Sequence, residues 1–411
     1  MRTASNPDLP VEPIGGEVLR WRPQQPEMFS RAELKRQTGD YKAAVPAQIS
    51  NLPIKLSGEL ASLVEDASGK IRDFDKKARM VLGSENPMLG PMSSILLRTE
   101  SASSSQIEQI TSSAKQLALA ELHGESKSNA ETVIGNVRAM QAAMDLSSEL
   151  SEQSLLKMHK ALMANQSGFQ DKYAGHYRDQ QVWIGKGSAG PLTAEFVPPH
   201  QKRISQAMKD LVEFLQREDI PVLAQASIAH AQFETIHPFI DGNGRTGRAL
   251  VHSVMKNKGL VSSSAIPLSA GLLTNLSGYF ESLGTFRSGD AGPLIRQFAN
   301  AAHYAAATGE QLVDDLIEQM EISKQMLSGV RSDSAAWRVL PELIAQPVIN
   351  SNYLITTLGL NEMTAIRAIK TLENRGVIRE LTGWRRRRAW EHSGILNALD
   401  EFGSKIRRES R

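Results

Sequence analysis

The fold and the chemistry of this chain are decided in the stretch His237-Pro-Phe-Ile-Asp-Gly-Asn-Gly-Arg-Thr-Gly-Arg248. Upstream, Val222–Thr235 has helical periodicity with Ile228 and Phe233 inward. Downstream, Leu250, Val251, Val254 and Met255 predict a second helix ending near Lys258–Gly259. The segment is therefore a loop feeding a helix N-terminus, where free N–H groups and the macrodipole favour an anion. Gly242 and Gly244 remove the Cβ atoms that would keep a phosphate at a distance. Arg245 and Arg248 add positive charge with bidentate geometry. Asp241 is a hard oxygen ligand suited to Mg²⁺ held between protein and phosphates. His237 supplies an imidazole, which accepts a proton from a hydroxyl near neutral pH. Singly, Asp-Gly-Asn-Gly is an ordinary turn and a histidine before proline is usually structural. Together they form a site for transferring a phosphorus centre.

Working outward, Leu56, Leu60, Leu63, Val64, Ile71 and Phe74 predict an amphipathic helix over Leu56–Leu82, and Pro91–Asn165 is Ala/Leu-rich at helical spacing. Between Gly168 and Pro199, several glycines interrupt two strand-like pieces, His176–Arg178 and Val182–Ile184, and predict a hairpin or loop. Helical periodicity returns at Gln201–Arg217 and runs, with breaks, to about Ser328. Residues 1–53 carry seven prolines and little apolar periodicity, which predicts an extended arm lying on the rest of the protein.

At 411 residues and roughly 150 per domain, two or three domains are expected. With 41% hydrophobic and 22% charged residues there is ample material for a core. The net charge is only +2, so any nucleic-acid affinity must come from a local patch. Residues 331–411 hold 14 Lys and Arg against 9 Asp and Glu, a net +5, which leaves −3 for the remainder. The cysteine count is zero, which excludes disulfides, Cys-based zinc sites and thiol chemistry. Met1–Pro13 has no apolar core of a secretory signal, and no run reaches the ~18 apolar residues of a membrane span. The expectation is a soluble, cytoplasmic protein with no membrane partner.

The string from His237 to Arg248 resembles the Fic-domain signature His-x-Phe-x-(Asp/Glu)-Gly-Asn-Gly-Arg-x-x-Arg at every fixed position. The resemblance continues through Ala231-Gln-Phe-Glu-Thr-Ile-His237, Gly175-His-Tyr-Arg178, Val182-Trp-Ile-Gly185 and Phe196-Val-Pro-Pro199, and spans most of residues 40–305. It implies protein adenylylation, the transfer of AMP from ATP to a Tyr, Thr or Ser hydroxyl of a target protein. His237 would be the base and Asp241 would hold Mg²⁺ against the α- and β-phosphates. Gly242, Asn243 and Gly244 would cradle phosphate, Arg245 and Arg248 would hold the β/γ end, and Phe239 would anchor the loop in the core. The phosphate-transferring Doc-like branch has Lys in place of the second Gly, so Gly244 argues for AMP over γ-phosphate transfer. The choice of AMP over UMP stays open.

The segment Tyr177–Phe196 resembles the family's flap, on which an extended target segment would add a strand, with Val182 and Ile184 as candidate contacts. Ser103-Ser-Ser-Gln-Ile-Glu108-Gln109 resembles the family's inhibitory helix, (Ser/Thr)-x-x-x-Glu-(Gly/Asn), with Ser104 and Glu108 at matching positions and Gln109 departing from the pattern. The resemblance implies inhibition in cis by Glu108, acting on Arg248 and thereby on ATP. Whether Glu108 also supports AMP removal stays open.

In the basic C-terminal part, Ala336–Ile344, Ser351–Leu358 and Glu362–Asn374 predict helices. Val377–Leu381 is strand-like, and Gly383 turns into Arg385–Trp390. Three helices and a two-stranded wing resemble a winged helix, whose Arg385, Arg386, Arg387 and Arg388 suit phosphates, although alternation sends half of them to each face. The wing could serve nucleic acid or protein contacts, and a homodimer is compatible with the sequence.

The expected architecture is mainly α. A Fic-type helical core with a β-hairpin flap is joined to a small C-terminal winged-helix (α+β) domain. Residues 1–90 form an N-terminal arm and helix packing on the core. Residues 91–328 form the catalytic domain, with the inhibitory helix near 101–120 and the flap near 173–197. Residues 331–411 form the winged-helix-like domain. The rival class is a nucleic-acid-binding regulator whose Fic-like core senses nucleotide. The intact His237 and Asp241 argue against it, because a sensor has no use for a base beside its metal ligand.

Overall fold

The computed structural model describes residues 7–23, 26–80, 89–123, 129–164, 173–185, 190–262, 265–381 and 388–409. In chain order the elements begin with β1 (Gly15–Trp21), α1 (Arg31–Arg36), β2 (Gly39–Val45), α2 (Gly58–Met80), α3 (Leu89–Ile107), α4 (Ala114–His123), α5 (Asn129–Asp145) and α6 (Glu152–Met163). There follow α7 (Ile204–Leu215), α8 (Val222–Ile236), α9 (Asn243–Asn257), α10 (Leu268–Leu273), α11 (Leu276–Arg287) and α12 (Gly292–Met326). The last are α13 (Ala335–Val339), α14 (Glu342–Ala345), β3 (Val348–Ile349), α15 (Ser351–Leu358), α16 (Glu362–Asn374), β4 (Arg379–Glu380), β5 (Trp390–Glu391) and α17 (Ser393–Glu409). The fold is mainly α. The chain divides into two compact units, one of Met1–Asp66, Ala142–Lys258 and Ser277–Ala299, the other of Ala67–Gln141, Gly259–Leu276 and Asn300–Arg411.

In the first unit α8 is the central helix. Every residue from Leu223 to Ile236 is buried, so it is enclosed on all sides rather than amphipathic. α7 and α9 pack against it. α7 does so through the 3.6-residue stripe Ile204, Met208, Leu211, Phe214 and Leu215. Gly247 of α9 permits the closest approach, since a Cβ there would meet His230 Nδ1 and Phe233 Cδ1 at 3.1 Å.

The expected extended arm is corrected by this unit. β1 and β2 form an antiparallel ladder from Gly15↔Val45 to Trp21↔Gly39, and α1 between them starts on a Ser30/Glu33 capping box. Alternation places Tyr41 and Ala43 inward and Lys42 outward. Trp21 packs edge-on against Tyr41 and Trp183, closing a cluster with Leu192 and Val197. The flap is corrected as well. His176–Arg178 is not a strand, and among the described residues the hairpin reduces to one antiparallel bridge, Ile184↔Phe196. The backbone N–H of Arg178 is drawn instead to the carbonyl of Pro238 at 2.9 Å.

In the second unit α3 packs on α10 and α14, and α17 packs on α4 and α10. α13, α15 and α16 form a small helical group beside the three-stranded antiparallel sheet β3-β5-β4. Ser351–Leu358 and Glu362–Asn374 are helical as expected, with Asn350 and Asn361 as N-caps. The stretch Ala336–Ile344 is instead split into two short helices, because Pro341 lacks the N–H that would continue the first turn. α3 stops at Ile107, so the segment near 101–120 is not one helix. Gln109 takes a left-handed φ of 64°, and Ile110 N donates to Ser105 O while Gln109 N donates to Gln106 O. That is a Schellman stop.

Candidate active site

The motif lies in the first unit as a tight loop between α8 and α9. His237 is the C-cap of α8 with φ 49° and ψ 61°, and its N–H still donates to Phe233 O at 2.8 Å. A left-handed non-glycine residue costs about 1–2 kcal/mol, so other contacts must hold it. Phe239 is fully buried and stacks on His159, ring centroids 3.7 Å apart and nearly parallel. Asn243 clamps Phe239 from both sides, its Oδ1 accepting from Phe239 N at 2.9 Å and its Nδ2 donating to Phe239 O at 3.0 Å. The side chain of Asn243 is thus spent on the loop. Only its backbone N–H is left for a phosphate cradle.

Gly242, at φ 74°, is the N-cap of α9, and a Cβ there would come within 2.7 Å of Leu162 Cδ2. With glycine at the cap, no side chain caps α9, which leaves its first-turn N–H groups to be met by an anion. Arg245 and Arg248 are buried beneath them, and Arg245 Nη2 lies 3.5 Å from Oδ2 of the half-exposed Asp241. The loop therefore presents an imidazole, a carboxylate, a helix N-terminus and two arginines within a single turn of chain. Residues 149–255 match the Fic/DOC family. Residues 149–255 are a Fic domain.

This Fic domain lies in a region similar to proteins of known name. Over 154 residues, 37% of this chain and 27% of the relative, it is 30% identical to Protein adenylyltransferase fic-1 of Caenorhabditis elegans. Over 200 residues, 46% of this chain and 37% of the relative, it is 26% identical to Protein adenylyltransferase Fic of Drosophila erecta. The matched region spans between a quarter and two-fifths of the length of these relatives. The fold is similar to that of a Fic family protein from Desulfovibrio desulfuricans G20, with TM-score 0.51 and 21% identity over 83% of this chain and 97% of that one. At that identity the likeness is one of fold.

Two residues of the Fic domain that the spacing did not single out lie against His237, one bonded to its backbone and one beside its ring. Arg178, fully buried at the base of the flap, donates through Nε to the carbonyl of His237 at 2.8 Å. It also donates through Nη1 to Gln180 O and through Nη2 to Pro199 O. Burial pulls its pKa down to about 10, still well above neutrality. Glu234, one turn before His237 on α8, brings Oε2 to 3.7 Å from His237 Nδ1. Periodicity marks Glu234 only as a polar residue among buried ones, and a lone arginine in a glycine-rich segment carries no spacing signal at all.

Val182 and Ile184 are both half-buried, and Ile184 exchanges backbone hydrogen bonds with Phe196. Arg287 stacks over the Phe196 ring at 3.8 Å, fastening the returning limb of the flap.

Ser104 and Glu108 belong to the second unit. Ser104 is fully buried on α3, and Glu108 is the first residue beyond that helix, half-buried in the Schellman turn. Asn136 of α5 steadies this end by donating to Ser101 O at 2.8 Å. In the C-terminal wing, Arg385, Arg386 and Arg387 lie outside the described residues. Arg388 is paired in bidentate fashion with Glu380 and lies over the Trp390 ring.

Proposed function

We propose that this chain is a protein adenylyltransferase that moves AMP from ATP to a Tyr, Thr or Ser hydroxyl of a target protein and of itself. The observation that carries the reading is the placement of His237, fixed in a left-handed turn, beside the uncapped N-terminus of α9. His237 takes the proton of the target hydroxyl as its oxygen bonds to the α-phosphorus. The bond from that phosphorus to the bridging oxygen breaks, and pyrophosphate leaves with the electron pair. The α9 N–H groups, Arg245 and Arg248 offset the negative charge that builds on the phosphates. Gly244, where a kinase-like relative has lysine, supports AMP as the transferred group.

The described residues contain no cluster of three or more His, Cys, Asp or Glu fit to hold a metal. A single half-exposed carboxylate nonetheless suits Mg²⁺, which is commonly held by one or two carboxylates together with substrate phosphates. Asp241 would hold it, and when bound it supplies further charge neutralisation on the leaving group.

In the same reading Glu108 restrains the activity in cis. Support comes from the Ser104-x-x-x-Glu108 spacing and from a turn that fixes Glu108 at the end of α3. Residues 91–328 would form the catalytic domain behind the 1–90 arm. Residues 331–411 would form a winged-helix domain, supported by their three-stranded sheet and the helices packed beside it. Target docking along the flap through Val182 and Ile184 completes the reading.

Incubation with ATP labelled at the α-phosphate tests it. Wild type, or the Glu108→Gly variant if inhibition is tight, becomes labelled, while ATP labelled at the γ-phosphate leaves no label. His237→Ala abolishes labelling with its melting temperature unchanged. Absence of α-label in both wild type and Glu108→Gly overturns the assignment.

A further inference from the structure

We infer that Glu234 is a positioning residue for His237, holding its Nδ1–H so that Nε2 faces the target hydroxyl and the ring is ready to take the proton. The inference rests on the transferase reading above and deepens it. His237 is anchored on its backbone side by Arg178 and Phe233, but neither contact sets the ring. On the ring side, Nδ1 is buried and makes no hydrogen bond, and Glu234 Oε2 lies 3.7 Å away. Oε1 of the same carboxylate is likewise buried without a hydrogen-bond partner. Two buried polar groups with unused capacity, facing each other across a helical turn, come within bonding distance by a movement of roughly 0.7 Å. The Glu234 main chain is itself fixed, because its carbonyl accepts from Arg287 Nη2 at 3.4 Å.

The charges around the pair favour this role. Burial works to raise the Glu234 pKa, but the contact with His237 and the guanidinium of Arg248 outweigh it and hold the group below the usual carboxylate range. It is therefore a carboxylate at neutral pH. The groups that face it are His230 and His237 of α8, Arg248 of α9 and Arg287 of α11, the last with Tyr279 nearby. Burial lowers the His230 pKa and keeps that ring neutral, and its Nε2 is taken up by Tyr279 Oη at 2.7 Å. His230 is thus no competitor for the carboxylate.

In the transfer step the proton passes from the target O–H to His237 Nε2. Positive charge then spreads over the ring, and its Nδ1–H faces a fixed negative charge. Glu234 itself neither gains nor loses a proton. The same logic governs other catalytic histidines whose far nitrogen is held by a carboxylate.

Histidine ¹⁵N spectra of the ligand-free protein decide the orientation, without any turnover. Wild-type His237 shows the Nδ1–H tautomer, Glu234→Gln retains it through the amide oxygen, and Glu234→Leu converts to Nε2–H or a mixture. Kinetics decide the charge. Glu234→Gln lowers kcat by about tenfold or more, leaves the KM for ATP within about twofold, and moves the acidic limb of the pH–rate profile down by about one unit. An unchanged tautomer in a folded Glu234→Leu variant overturns the proposal. So does a Glu234→Gln profile that coincides with wild type. If the wild-type protein transfers no AMP, the transferase reading falls, and the tautomer comparison still judges Glu234.

Discussion

Arg178 donates to the carbonyl of His237 at 2.8 Å and, through its own backbone N–H, to the carbonyl of Pro238. One residue at the base of the flap thus holds both ends of the peptide that carries the base. Flap and motif form one hydrogen-bonded object. Removing the guanidinium leaves the carbonyls of His237, Gln180 and Pro199 without their donor in a buried setting. Arg178→Ala is expected to lose about 3 kcal/mol of stability in urea denaturation. AMP transfer is expected to fall by at least about tenfold, because the base is no longer held to within an ångström. Arg178→Lys recovers part of the stability but little of the rate, since an ammonium cannot span the same acceptors. A transfer rate within twofold of wild type in Arg178→Ala would separate the flap base from catalysis.

Gln109 occupies a left-handed position where the resembling motif has Gly or Asn. The departure is a question of backbone, since the C′ site of a Schellman stop favours residues that tolerate positive φ. Gln109→Gly is expected to raise the melting free energy by about 0.5–1 kcal/mol with no change in self-AMPylation. Glu108→Gly is expected to raise self-AMPylation instead. If labelling of Glu108→Gly merely equals wild type, the inhibitory role is lost.

His392 is buried beside Ser323, its Nδ1 accepting from Ile395 N at 3.1 Å and its Nε2 lying 2.8 Å from Ser323 Oγ. Ser323 Oγ donates in turn to Gln319 O, so the neutral Nε2–H tautomer satisfies every partner. Burial lowers the pKa to about 4. Between the ordinary histidine range near ~6.5 and about 4, the unfolded chain takes up a proton that the folded one refuses. Stability therefore falls as pH drops through that window, by up to a few kcal/mol, and levels off below it. His159 is lowered to about 4, chiefly by burial, and adds to the slope. His392→Asn is expected to flatten the slope of denaturation free energy against pH between 6.5 and 4. A parallel slope in the variant would show that His392 does not carry its share.

The motif was legible because its residues are contiguous and flanked by helices with strong signals. α8 and α9 fall within a residue of the expected Val222–Thr235 and Lys258 boundaries. The anchor role of Phe239 followed from the family resemblance, but its stacking on His159 did not. The β1–β2 ladder was not legible. One face is open enough to leave Val18 70% exposed, and its closure depends on Trp183 far along the chain. Glycines between 175 and 190 looked like hairpin punctuation, whereas Arg178 draws the first limb toward Pro238 and out of strand pairing. The contact of Arg178 with His237 spans 59 residues and leaves no periodicity, while Glu234, one turn before His237, is a single polar residue in a wholly buried helix, so neither role is marked by the hydrophobic pattern.

The two compact units are each assembled from three separate stretches of chain. No single cut releases either one. A fragment ending after Ser328 would keep α3 yet lose α14, which packs on it, and would lose Gln346, whose amide donates to Ala118 O at 2.7 Å. The basic C-terminal module is therefore a stitched-in part of a unit and not a detachable passenger. A truncated gene product would be expected to misfold rather than to run unregulated.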